Sequence, residues 1–181
     1  MSGSEGRCCR FVFVEDTYGV DFHRRLIDHL HGEGRISILP RVRRLPAKKC
    51  NPKVFRSIRG ATVGCRRWRV LVVIDQEAHE TPRQAAERDF LRHVKKNRDR
   101  FRVVVVQPRH EAWLCIGLGL DRKKCRKSPE SVIEAIIGEP YDKRFLSKLS
   151  SPFERRFDPA RLEGESDFSD YMEALLWLSE C

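Results

Sequence analysis

Acidic side chains follow three strongly apolar runs of this chain. Phe11-Val12-Phe13-Val14 leads directly into Glu15 and Asp16. Val70-Leu71-Val72-Val73-Ile74 leads into Asp75, Gln76 and Glu77. Val103 to Val106 is followed, after Gln107-Pro108, by His110 and Glu111. Short β-branched runs bounded by polar breaks predict buried parallel strands. Ligands of open α/β sheets gather outside the carboxyl ends of such strands. Carboxylates from three strands would then converge on one edge, and an all-oxygen donor set suits Mg²⁺ or Mn²⁺ better than a softer metal.

The elements that must position these acids follow from periodicity. A strand is expected at about 10–14, then a helix through about 20–31 with Phe22, Leu26 and Leu30 on one stripe. A short strand is expected at Ile36 to Leu39, closed by Pro40, and the basic stretch Arg41 to Lys49 reads as a loop. Asn51-Pro52 starts a helix that Gly60 stops. Thr81-Pro82-Arg83-Gln84 is a capping box opening a helix to about Lys96. The alternation of strand and helix predicts an α/β fold: a four-stranded, mainly parallel sheet with helices on both faces, Rossmann-like in its winding. The domain reading is a flexible N-terminus over 1–9, the α/β domain over 10–107, and a helical extension with an acidic tail over 108–181. Helices are expected at His110 to Leu118, from Ser128-Pro129, at Lys143 to Leu149 and at about 170–179, with a flexible basic loop from Arg122 to Lys127.

Charge narrows the partners. The net charge is +10, and all 36 Lys and Arg residues lie at or before Arg161, whereas six acids follow it. A body this basic is expected to meet nucleic acid. The candidate nucleic-acid-binding clusters are Arg41, Arg43, Arg44, Lys48 and Lys49, and Arg122, Lys123, Lys124, Arg126 and Lys127. A solvated charged surface is the plain alternative. No run reaches membrane-spanning length, so a soluble cytoplasmic protein is the expectation. Only five residues are Asn or Gln, which hints at a thermophile. Seven cysteines lack a C-x-x-C pair, which disfavours a zinc ribbon and leaves any disulfide pairing open.

A strand ending in Glu15, a helix, and a later strand ending in Asp75-x-Glu77 resemble the Toprim domain of topoisomerases, DnaG-type primases and OLD-family and related small nucleases. The resemblance covers about residues 10–107. Glu111-x-Trp113 is similar to an element of small Toprim-like proteins of defence or mobile elements. Glu15 matches the family glutamate and Asp75 the first acid of its D-x-D pair. Glu77 stands where the second aspartate would be, and Asp16 stands where a glycine often follows the glutamate. The resemblance implies Mg²⁺ or Mn²⁺ held by Glu15, Asp75 and Glu77, with Asp16 or Glu111 completing the shell or orienting water and His110 assisting as proton donor. It implies phosphodiester cleavage of DNA or RNA. The alternative is a non-catalytic nucleic-acid-binding or defence-associated module with the same fold. A nucleotide-binding protein ranks last, because the chain has no P-loop and no G-x-G-x-x-G. Each acid also has a structural role open to it: Glu15 and Asp16 as helix caps, Asp75 and Glu77 as partners of Arg66 or Arg67, and Glu111 in a first helical turn.

Overall fold

The computed structural model describes residues 8–46, 51, 53–76, 83–92, 94, 96–148 and 156–181. Four parallel strands form one sheet: β1 (Cys9–Val14), β2 (Arg41–Arg44), β3 (Trp68–Asp75) and β4 (Phe101–Val106), in the order β2-β1-β3-β4. The chain runs outward from β1 to β2, then back across to β3 and on to β4, so the winding reverses between β1 and β3. Register is level there: Val14 lies opposite Val73 on β3 and Arg44 on β2, and Asp75 lies opposite Val106.

Strict alternation divides the strands between two cores. Val12, Val14, Leu71, Val73, Val104 and Val106 face one side. Phe11, Phe13, Val70, Val72, Ile74 and Val105 face the other. Both faces are covered, which is why the strands read as unbroken apolar runs. The second face packs on α2 (Lys53–Ala61) through Val54, Phe55 and Ile58, and on Phe90 of α3 (Arg83–Leu91). The first face packs on α1 (Thr17–Gly32), whose Phe22, Leu26 and Leu30 form the expected stripe. It is completed by α4 (His110–Gly117), α5 (Arg122–Lys127), α6 (Pro129–Ile137), α7 (Arg144–Ser147) and α8 (Ser166–Ser179). The C-terminal helices thus build the layer beside α1. No described helix is long and apolar enough to cross a membrane.

Four expectations are corrected. The second strand is Arg41–Arg44, within the stretch read as a loop; Ile36 to Leu39 is irregular, with Ile36 buried in the core. An edge strand pairs on one side only, so its outward positions stay cationic and carry no apolar signal. Arg122 to Lys127 is a helix, capped by Asp121, whose carboxylate accepts from Lys124 N at 2.8 Å. Thr81 and Pro82 of the expected capping box lie outside the described residues; the helix there ends at Leu91, and Asn97 in the left-handed region (φ 58°) turns the chain towards β4. Cys9 opens β1 and so lies in ordered sheet; residues 1–7 are outside the described residues. Six cysteines pair as Cys8–Cys181, Cys9–Cys65 and Cys115–Cys125, with Cα separations of 5.9, 5.9 and 5.6 Å.

The layer of C-terminal helices is fixed at both ends of α8. At its start, the fully buried Asp167 accepts from Gln107 N at 2.8 Å, from Trp113 Nε1 at 2.9 Å and from Arg126 at 2.8 Å. Arg126 also pairs with Glu165 and reaches Gln107 O. At its end, Arg10 donates to Leu178 O at 2.8 Å, and the guanidinium groups of Arg69 and Arg102 lie 4.7 and 5.0 Å from the Trp177 ring centre. Cations there suit the carbonyl end of a helix. Removing one partner of a buried ion pair strands the other. Asp167→Ala is therefore expected to lower unfolding free energy by about 3–5 kcal/mol in urea titrations. Lys123→Ala, on the exposed side of α5, should change it by less than about 0.5 kcal/mol.

Candidate functional site

The winding reverses between β1 and β3, and the acids collect at the carboxyl ends of those strands. Glu15 continues β1 by one residue, its amide donating to Val73 O at 3.2 Å. Its carboxylate accepts from the amide of Asp75 at 3.3 Å, so the two acids are joined through backbone. Asp16 caps α1, accepting from Tyr18 N at 3.3 Å. The approach of α1 is close: a Cβ on Gly19 would stand 2.8 Å from Val14 Cγ1, so glycine is what lets the helix start there.

Helix α4 delivers the third segment. Asp75 Oδ1 accepts from the His110 amide at 3.0 Å, and His110 Nδ1 forms an ion pair with the same oxygen. Burial works against a charged His110, but the carboxylate of Asp75 outweighs it, helped by Glu111 and Glu15, and the imidazolium persists to higher pH than usual. Behind it lies a second buried imidazole. The rings of His23 and His110 are perpendicular with centres 4.8 Å apart. Burial and then the charge on His110 push the His23 pKa down, so His23 is neutral, with Nδ1 2.8 Å from the Tyr171 hydroxyl. The Nε2 atoms of both rings have no hydrogen-bond partner among the described residues.

Glu111 is buried beside them. Its pKa is raised, first by burial and then by the negative charge of Asp75. The Tyr141 hydroxyl donates to Glu111 Oε1 at 3.1 Å, and burial with the Glu111 charge keeps that phenol protonated. Lys143 donates to Asp16 Oδ2 at 3.1 Å. Its pKa is raised: partial burial opposes the charge, and Asp16 outweighs it, with smaller help from Glu111 and Asp75. Thus Glu15, Asp16, Asp75 and Glu111 share one edge with His110, Lys143 and Tyr141. Glu77 lies outside the described residues, and among those described no group of three or more His, Cys, Asp or Glu side chains is spaced to hold a metal ion.

Tyr141 and Lys143 belong to a short irregular stretch before α7, where neither periodicity nor a motif marks them. The basic clusters divide. Arg41, Arg43 and Arg44 are exposed on edge strand β2, and Arg44, opposite Val14, stands at the acid edge. Arg43 stacks over the Phe11 ring at 5.3 Å. Lys48 and Lys49 lie outside the described residues. On α5, Lys123, Lys124 and Lys127 are exposed, whereas Arg122 bonds Glu165 at 2.9 Å and Arg161 O at 2.7 Å, and Arg126 is held by Glu165 and Asp167. Trp113 and Trp68 are core residues.

The fold and this edge define a doubly wound α/β protein with acids gathered where its strand order reverses. No family model, curated protein or solved structure matches the chain.

The raised pKa of Glu111 carries a stability signature. The unfolded chain ionises near the ordinary carboxyl value of 4.5, whereas the folded protein resists ionising until higher pH. The native state therefore binds more protons across that window, and wild-type stability falls as pH rises through it. Glu111→Gln, still able to accept from Tyr141, is expected to be more stable than wild type at pH 7 without divalent ions. The advantage should shrink towards zero below about pH 4.5, as followed by urea unfolding across pH.

Proposed function

We propose that this chain is a Toprim-like, divalent-metal-dependent phosphodiesterase acting on nucleic acid, with its centre at the acid edge. The observation that carries the reading is the convergence of Glu15, Asp75 and Glu111, from three segments, at the point where strand order reverses. The donors are carboxylate oxygens, the kind Mg²⁺ or Mn²⁺ takes, although no three of the described ones stand at metal-binding spacing, and a cation would relieve the part of the Glu111 shift that Asp75 adds to burial. Glu15, Asp75 and Glu77 would hold the ion, with Asp16 at the margin of the shell. When bound, such an ion neutralises charge on the phosphate and acidifies a water.

The chain's own groups have separate tasks. His110 fixes Asp75 through two contacts to one oxygen. Tyr141 fixes Glu111, which is the group to orient water. Lys143, 63% exposed, restrains Asp16 and offers positive charge to an incoming phosphate. Arg44 and the exposed lysines of α5 supply cations for backbone contacts that carry no sequence information.

A second reading rests on the same contacts. Asp75 is paired with His110 and Asp16 with Lys143, so internal cations already offset two of the acids. On that reading the chain is a non-catalytic nucleic-acid-binding module.

The test combines cleavage with melting. Wild type, Asp75→Asn and Glu15→Gln are incubated with plasmid, single-stranded DNA and RNA in Mg²⁺, Mn²⁺ or EDTA, and thermal unfolding is followed with and without Mn²⁺. Catalysis predicts metal-dependent cleavage in wild type alone, and a rise in melting temperature with Mn²⁺ that Asp75→Asn loses. Tyr141→Phe should reduce cleavage about 10- to 100-fold, as loss of a supporting contact does. A gel shift in all proteins, with neither cleavage nor a Mn²⁺ effect on melting, identifies the binding module.

A further inference from the structure

The opposite edge of the sheet has a concave site of different chemistry. Parallel strands begin together, so the turn before β3 and the 3₁₀ turn Arg98–Arg100 before β4 share that edge with the end of α2. Between them lies a cavity of about 830 Å³, within the range of sites that enclose a small organic ligand. Its floor is aromatic. Phe101 stands edge-on to Phe55 and Trp68, with ring centres 6.0 and 5.5 Å away. The lip continues apolar through Val63, which is 80% exposed. The rim is cationic, with Arg56, Arg59 and Lys96 lining it. The Arg100 guanidinium lies over the Trp68 ring at 5.1 Å.

An apolar ligand has no use for such a rim, and a simple anion has no use for such a floor. A nucleobase with its phosphates needs both, since every base offers a π-face and a charged backbone. A paired base is held inside its duplex and cannot enter a cavity of one-nucleotide size. The cations also continue along the edge through Arg66, Arg67 and Arg98, beyond what one free nucleotide would neutralise. We infer that this cavity binds one unpaired nucleotide of a single-stranded nucleic acid, its base against Phe55, Trp68 and Phe101 and its flanking phosphates on Arg56, Arg59 and Lys96. The inference deepens the proposed nucleic-acid activity by naming single strands as the ligand, and it is separable from catalysis. The eight residues of β3 set the cavity about 25 Å from the acids.

Gly60 gives a direct test. It lines the cavity, and a Cβ added there meets no atom within 4 Å, so Gly60→Leu places an apolar side chain at the cavity lining with no clash at its branch point. Fluorescence anisotropy with a labelled single-stranded oligonucleotide and with the matching duplex, across a salt series, reads the outcome. Gly60→Leu is expected to weaken single-strand binding by about tenfold while keeping the salt slope, since a base contact is lost and no phosphate contact is. Arg56→Ala with Arg59→Ala is expected to flatten the slope of log affinity on log salt by about 1.4, since two phosphate contacts are lost. Wild-type affinity in Gly60→Leu, or equal loss of duplex and single-strand binding in both variants, overturns the inference. Asp75→Asn separates the two readings. If it binds like wild type, and Gly60→Leu does not, the cavity assignment stands whether or not any protein cleaves.

Discussion

The buried carboxylate of Asp167 is the contact on which the arrangement of this molecule turns. It has no exposure to water, and its two oxygens take hydrogen bonds from the end of β4, from the indole of α4, and from the guanidinium of α5. A carboxylate so placed is tolerable only because these donors and the Arg126 charge replace its hydration. The consequence reaches the acid edge. Gln107 and Trp113 flank His110 and Glu111, so one acid of α8 fixes where α4 begins and therefore where Asp75 finds its imidazole. The C-terminal helices are thereby part of the site's support.

The sheet imposes the remaining constraint. Reversal of winding between β1 and β3 leaves their carboxyl ends without a crossover above them, and Glu15 and Asp75 lie there because each follows its strand directly. Charge concentrated in this way is held by counter-charge from elements distant in sequence: His110 lies 35 residues from Asp75, and Lys143 lies 127 from Asp16. The edge is therefore poised electrostatically, with an imidazole whose pKa is raised by Asp75 and an ammonium facing four acids, one of them reluctant to ionise.

Legibility in the sequence followed the physics of each element. β1, β3 and β4 are buried on both faces, so their apolar runs announced them, and the Toprim resemblance rests on the acids that follow two of them. β2 is an edge strand whose arginines face water, and the apolar residues before it, Ile36 and Ile38, pack on the core without joining the sheet. α8 begins at Ser166, earlier than its leucines suggest, because Asp167 reads as one more acid of a charged tail until Arg126 is set beside it. Four of the acids at the edge were named from order and spacing alone. Tyr141, Lys143 and the His23 ring were not, since a side chain that acts only through a long-range contact leaves no local pattern.

The Cys8–Cys181 bridge gives the chain a property of a different kind. It joins the residue just before β1 to the residue two beyond α8, closing residues 8–181 into a covalent ring. A ring survives one cut in one piece. A single proteolytic nick anywhere between the two cysteines opens the loop but liberates no fragment, and the severed ends remain tethered through β1 and α8. In topological terms the oxidised molecule has no free path by which one break can divide it, whereas in the reduced molecule every exposed turn is a point of separation.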